Sequence, residues 1–198
     1  MWTVATRQDH RRDGLRVASD LTEGEWAVLE PLLPPRRKSG RVPAWPTREI
    51  VNAIFYVLHG GTPWWMLTPC FPPYQTVYGW FAALRDGGIW QDINQWLVML
   101  DRERAGREVS PTAAVRGSQS AKTTEAGCVR GYDACKKMLG RKRHAMVDTD
   151  GRLLVAQLCA ADVQDRDGAV PLLTTSRRSF PFIEFAFADA AHASPDYA

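Results

Sequence analysis

Apolar positions recur with a helical period through the first half of the chain and with a strand-like period through much of the second. Trp26, Leu29 and Leu33 fall on one face of a helix that starts at Thr22. Thr22 and Glu25 have the spacing of a capping box, and Leu21 with Trp26 that of a hydrophobic staple. Pro31 limits or kinks this helix, and Pro34-Pro35 ends it. A second helix follows Thr47 as N-cap; Ile50, Ile54, Val57 and Leu58 form its apolar face and Gly60-Gly61 stops it. The four prolines of TPWWMLTPCFPPYQTVY force an irregular connection. A third helix runs from about Gln75 to Asp86 with Val77, Trp80, Phe81 and Leu84 on one side, and Gly87-Gly88 ends it. A fourth spans Ile89 to Arg104 with Ile89, Ile93, Trp96, Leu97 and Leu100 aligned. The tryptophans lie on these stripes and are expected in the core.

Past a Gly-, Ser- and Pro-containing linker the period changes. Ala113–Gln119 reads as a short strand, His144–Thr149 as a second, and Asp150-Gly151 as a two-residue hairpin turn leading into a third, Arg152–Ala160. Asp165 opens a helix with Val170, Leu172 and Leu173, in which Pro171 marks a break or an early-turn position. Phe182–Ala188 is almost wholly apolar, as a buried central strand would be, and Asp189 ends it. Three strands, a helix, then a strand ending in an acid is how a ribonuclease-H-like fold begins. The expected fold class is therefore α+β: an N-terminal helical, helix-turn-helix-like domain followed by an incomplete ribonuclease-H-like α/β domain. The expected divisions are a flexible basic arm at 1–20, a helical domain at 21–104, a linker at 105–116 and a partial ribonuclease-H-like domain at 117–198.

Composition adds little to this picture. In 198 residues, 45% are hydrophobic and 24% charged, which is the balance of an ordinary globular protein. The net charge of +3 points to no partner until its clustering is considered. Cys70, Cys128, Cys135 and Cys159 are irregularly spaced; a zinc site from Cys128, Cys135 and His144 lacks the tight ligand pairs that structural zinc prefers, and free thiols fit better. Apolar runs fall short of a membrane span, and the polar, basic N-terminus is no secretory signal. A cytoplasmic, nucleoid-associated protein is expected.

The segment GSQSAKTTEAGCVRGYDACKKMLGRKRHAMVDTDGRLLVAQLCAADVQDRD, Gly117–Asp167, resembles the start of the catalytic domain of bacterial insertion-sequence transposases of the insertion-sequence-five type. LTEGEWAVLEPLLPP, REIVNAIFYVLHGGTPWWML and FPPYQTVYGWF resemble the same family's N-terminal domain. The resemblance implies an Asp-Asp-Glu triad holding two metal ions, Mg²⁺, for cutting and joining DNA. It puts the first Asp where this chain has Gly117, followed by Ser118, a neutral and poor substitute. It makes Asp189, in FADAAH, the second acid and so the expected catalytic and metal-binding residue. The chain stops at Ala198 before any segment for the Glu, so the resemblance reads as a truncated, inactive transposase.

Two charge clusters remain. Lys136, Lys137, Arg141, Lys142, Arg143 and His144 form the densest positive run and are the expected DNA-binding residues. Arg7, Arg11, Arg12, Arg16 and the loop Arg36–Arg41 are further phosphate-contact candidates. Asp162, Asp165 and Asp167 are expected to be structural, Asp165 as a helix cap. The expected partners are double-stranded DNA at transposon ends and a second copy or a full-length transposase. The expected function is DNA transposition, the alternative a truncated DNA-binding inhibitor of a full-length transposase.

Overall fold

The computed structural model describes residues 11–35, 44–123 and 129–188. The chain divides into two compact units, Met1–Ile93 and Asn94–Ala198. In the first, α1 (Glu23–Leu29) begins with the expected capping box: Thr22 Oγ1 accepts from the Glu25 N–H at 3.2 Å, and the Glu25 carboxylate accepts from the Thr22 N–H at 2.8 Å. Thr22→Ala is expected to lower stability by about 1 kcal/mol in urea unfolding. Pro31 is absorbed by a single 3-10 turn, Glu30–Leu32, which follows directly on α1.

The second helix, α2 (Thr47–Gly60), starts one residue earlier than a Thr47 cap requires. Pro46 takes the cap position, its carbonyl accepting from Glu49 and Ile50, and Thr47 is already helical. Gly61, at φ 62°, ends it in the left-handed region where glycine is favoured. Ile50, Val51, Asn52, Ala53, Ile54 and Val57 are all buried, so α2 is the central helix and not a one-faced surface helix. Asn52 is tolerated there because its Oδ1 accepts from the Leu21 N–H. After a 3-10 turn at Trp64–Met66 come α3 (Tyr74–Asp86) and α4 (Ile89–Arg104). Val77 and Leu84 of α3 and Ile93 of α4 close the core on Leu21, Leu29, Ile50, Ile54 and Phe71.

None of the described tryptophans is fully buried. Trp26, Trp64, Trp80 and Trp90 pack half-buried around the core, while Trp45, Trp65 and Trp96 are exposed. An indole is large and carries an N–H that wants a partner, so it settles at the rim more readily than in the centre. Part of the expected flexible arm is docked. Arg16 reaches Asp20, Glu49 and the Cys70 carbonyl over the Phe71 ring, and Arg12 holds Glu25 and the Asp20 carbonyl.

The second unit is built on one sheet: β1 (Ala113–Lys122), β2 (Gly131–Asp133), β3 (Met138–Asp148), β4 (Leu153–Ala160) and β5 (Phe185–Phe187), with α5 (Ala169–Ser179) between β4 and β5. β3 runs antiparallel to β1, β2 and β4, and β5 lies parallel on β1. One face buries Ala114, Met146 and Leu154 with Leu172 and Phe180 and with Val98 of α4. This mixed sheet, with a helix leading into a parallel fourth position, is the expected ribonuclease-H-like start.

Three local expectations are corrected. The β3–β4 hairpin closes over three residues, Thr149–Gly151, with Asp148 and Arg152 paired at its base and Gly151 at φ 88°. α5 begins at Ala169 with Gly168 as N-cap, so Asp165 does not cap it, and Pro171 sits in its first turn. β5 is short and exposed, with Phe185 and Phe187 61% and 59% accessible, because among the described residues no layer covers that face.

Candidate functional site

Strand alternation decides what β1 can offer. Ala114 and Arg116 point into the core face, while Val115, Gly117 and Gln119 lie on the opposite, outer face. Gly117 pairs with Ala145 of β3. On the other side of β1, Val115 stands opposite Phe187, the end of β5. Asp189 follows two positions later in the sequence and lies outside the described residues.

Nothing in the backbone or the packing at position 117 calls for glycine. Its φ is not in the left-handed region, and a Cβ there would meet nothing within 4 Å. The site thus has space for a carboxylate and lacks one. Among the described residues no cluster of three or more His, Cys, Asp or Glu could hold a metal ion. Divalent metals of phosphoryl transfer need hard oxygens converging on one place, and the described residues of this face do not supply them.

Among the described residues, several carboxylates of this unit are committed elsewhere. Asp133 accepts from Ser120 Oγ at 2.5 Å and from the N–H groups of Cys135 and Lys136, and its carboxyl titrates below the ordinary value, chiefly through the Ser120 hydroxyl. Asp165 pairs with Lys142 Nζ at 3.0 Å. Asp162 backs onto Gly131, where any Cβ would strike its carboxylate. Asp148 is enclosed by Arg102 and Arg152. Within ADVQDRD, Asp165 thus acts as an ion partner where a cap was expected, and Asp162 packs on Gly131.

The basic run divides by the same alternation. Lys136 and Lys137 lie exposed in the β2–β3 turn, with Lys137 in the left-handed region at φ 50°. Arg143 is exposed on the outer face, donating from Nη2 to Gln119 Oε1 at 2.5 Å, and Arg141 lies half-buried on the same side. Lys142 and His144 point the other way. Lys142 is buried, donating to the Val163 carbonyl at 2.7 Å beside its ion pair with Asp165. His144 is 1% exposed, with Nε2 3.4 Å from Cys159 Sγ and its ring against Gly168. Burial pushes the Cys159 thiol up, so it stays protonated at neutral pH. Reading the run Arg141-Lys142-Arg143-His144 in period two, as a strand requires, separates these two groups. Gln119 had no signal of its own, since its role appears only in the cross-strand register.

Residues 112–198 match the family model of the transposase DDE domain, and the order of strands and helix in the sheet-bearing unit is consistent with a ribonuclease-H-like fold. Residues 21–94 match the model of the IS4/5-family transposase N-terminal domain. The chain belongs to the IS4/5-type transposases. No curated protein and no solved structure matches it. Among the described residues no helix is long and apolar enough to cross a membrane.

Proposed function

We propose that this chain binds the DNA ends of an insertion sequence and holds them without cutting. The family supports DNA transposition as the setting, and intact relatives cut and join DNA by two-metal phosphoryl transfer. Gly117 carries the rest of the reading: an open, unstrained position on the outer face of β1 has no ligand to give. Asp189 remains as the second acid of the family pattern and a ligand for Mg²⁺ in any relative that keeps the whole set. Here the described residues do not fit a metal pair, so no catalytic step runs through one.

The DNA is held by phosphate contacts from Lys136, Lys137 and Arg143, with Arg141 beside them, while Lys142 and His144 serve the interior. The helical domain, 21–104, supplies recognition of the ends, and the protein works on the nucleoid. Because such a chain occupies ends without processing them, it inhibits a full-length transposase that shares those ends.

The test is a gel shift of the purified chain on duplex DNA across a salt series, with supercoiled plasmid plus Mg²⁺ as the cleavage assay. Three phosphate contacts predict an affinity loss of at least about 40-fold between roughly 50 and 200 mM salt. No nicking is expected. Salt-independent binding, or Mg²⁺-dependent nicking abolished by Asp189→Asn, would overturn the reading.

A further inference from the structure

We infer that Arg143, oriented by Gln119, grips the backbone phosphate that sets which part of a DNA strand faces position 117. This rests on the DNA-binding reading above and adds a place and a register to it. The β1–β3 ladder puts Gly117 opposite Ala145 and Gln119 opposite Arg143. The two pairs share the outer face and are two residues apart along the strands, which is roughly 7 Å. The Gly117–Ala145 pair projects only a hydrogen and a methyl group, so the floor beside the guanidinium is low and open.

The pair is arranged as a grip. Arg143 Nη2 donates to Gln119 Oε1 at 2.5 Å, and both residues are exposed. A guanidinium has five N–H donors in a fixed fork, so one bond to Gln119 orients the plane and leaves donors for a phosphate. Bidentate phosphate binding needs such an oriented fork. With Oε1 engaged, the Gln119 amide keeps its NH₂ as a second, neutral donor. Among the described residues no carboxylate stands on this stretch of the outer face, where the neighbours are Val115, Gly117, Gln119 and Ala121 on β1 and Arg141, Arg143, Ala145 and Val147 on β3. The next outward residue of β3 toward the β2–β3 turn is Arg141, and the turn itself carries Lys136 and Lys137. A strand held at Arg143 can thus run from the empty acid position along the β1–β3 ladder toward that turn.

A cross-strand pair of this kind could also serve only to join β1 to β3, so the test reads position and not stability. Gly117→Cys, which the open space at that position tolerates, is labelled with a photoreactive aryl azide in the full chain with Cys70, Cys128 and Cys135 changed to Ser, and the same chain keeping Gly117 is the labelling control. The probe is an end-labelled duplex of the sequence that the native chain enriches from a randomised pool. Crosslinking is expected at one or two adjacent nucleotides. Adding Arg143→Ala is expected to spread the crosslinks over many nucleotides and to reduce the salt slope of binding by about one. Gln119→Ala, which keeps the charge, is expected to spread them with the slope unchanged. Melting of both variants is measured in parallel.

Unaltered crosslink positions and slope in Arg143→Ala would overturn the inference, whether or not the variant melts lower. Binding without any crosslink from position 117 would overturn it as well. No binding of any duplex by the native chain would remove the functional reading itself.

Discussion

Asp148→Ala is expected to cost the second unit roughly 3–5 kcal/mol, the range for breaking one side of a buried ion pair. The Asp148 side chain is fully enclosed at the end of β3. One carboxylate oxygen takes Arg102 Nη1 at 2.5 Å and Arg152 Nη1 at 3.4 Å; the other accepts from the N–H groups of Asp150 and Arg152. Arg102 is itself buried and gives its Nε to the Glu108 carbonyl. Alanine would strand that guanidinium and strip the hairpin of its internal acceptor. Asp148→Asn keeps the shape and the turn contacts, so it is expected to lose less. Urea unfolding followed by circular dichroism decides the matter: a loss below about 1 kcal/mol, the level of an exposed pair, would mean that the cluster is decorative.

The same residue sets an acid limit. Burial alone would raise the Asp148 carboxyl, but the Arg152 N–H, the Arg102 guanidinium and the other donors outweigh it and hold it below the ordinary 3.8. Asp133 is depressed as well, and Asp150 is drawn down to about 2 by Arg107 and Arg152. A carboxyl depressed in the folded state contributes stability above its unfolded pKa and loses it as the pH falls through the folded one. Stability is therefore expected to be flat near neutrality and to fall as the pH drops from 3.8 toward 2. In Asp148→Asn that acid slope becomes shallower. An identical slope would place the titration elsewhere.

Local signals in the chain were legible where chemistry and spacing agreed. Thr22 and Glu25 form the box their spacing predicts, and α4 begins and ends at Ile89 and Arg104 as its periodicity does. Errors arose where the three-dimensional surroundings overrode the local composition. Asp165 has the composition of a helix cap, yet Lys142 from β3 claims its carboxylate. Phe185 and Phe187 have the composition of a central strand, yet lie exposed on the sheet's outer face. Asp150-Gly151 signals a tight turn, but Asp148 captures the N–H groups of Asp150 and Arg152 and lengthens the loop by one residue. The candidate site was legible as a family position and not as a geometry. That Gly117 is unstrained and open, and so merely lacks its acid, needed the backbone.

The positive run of β3 permits a test in which stability and DNA binding move in opposite variants. Lys136→Ala, Lys137→Ala and Arg143→Ala combined are expected to reduce the slope of log affinity against log salt by about three. As these side chains are exposed, the change in stability is expected to stay within about 0.5 kcal/mol per site. Lys142→Met should do the reverse. Its ammonium lies 3.0 Å from Asp165 and 4.0 Å from Asp133 in a buried pocket, and removing it leaves those carboxylates facing each other's charge. A loss of roughly 3 kcal/mol follows, with the salt slope unchanged. The two variants start from neighbouring residues of the same sequence run, so composition cannot distinguish them; only the direction in which the strand points each side chain can. If Lys142→Met lowered the slope as much per charge as the triple variant, the inward placement of Lys142 would be wrong, and the phosphate-contact face would have to be redrawn on the other side of the sheet.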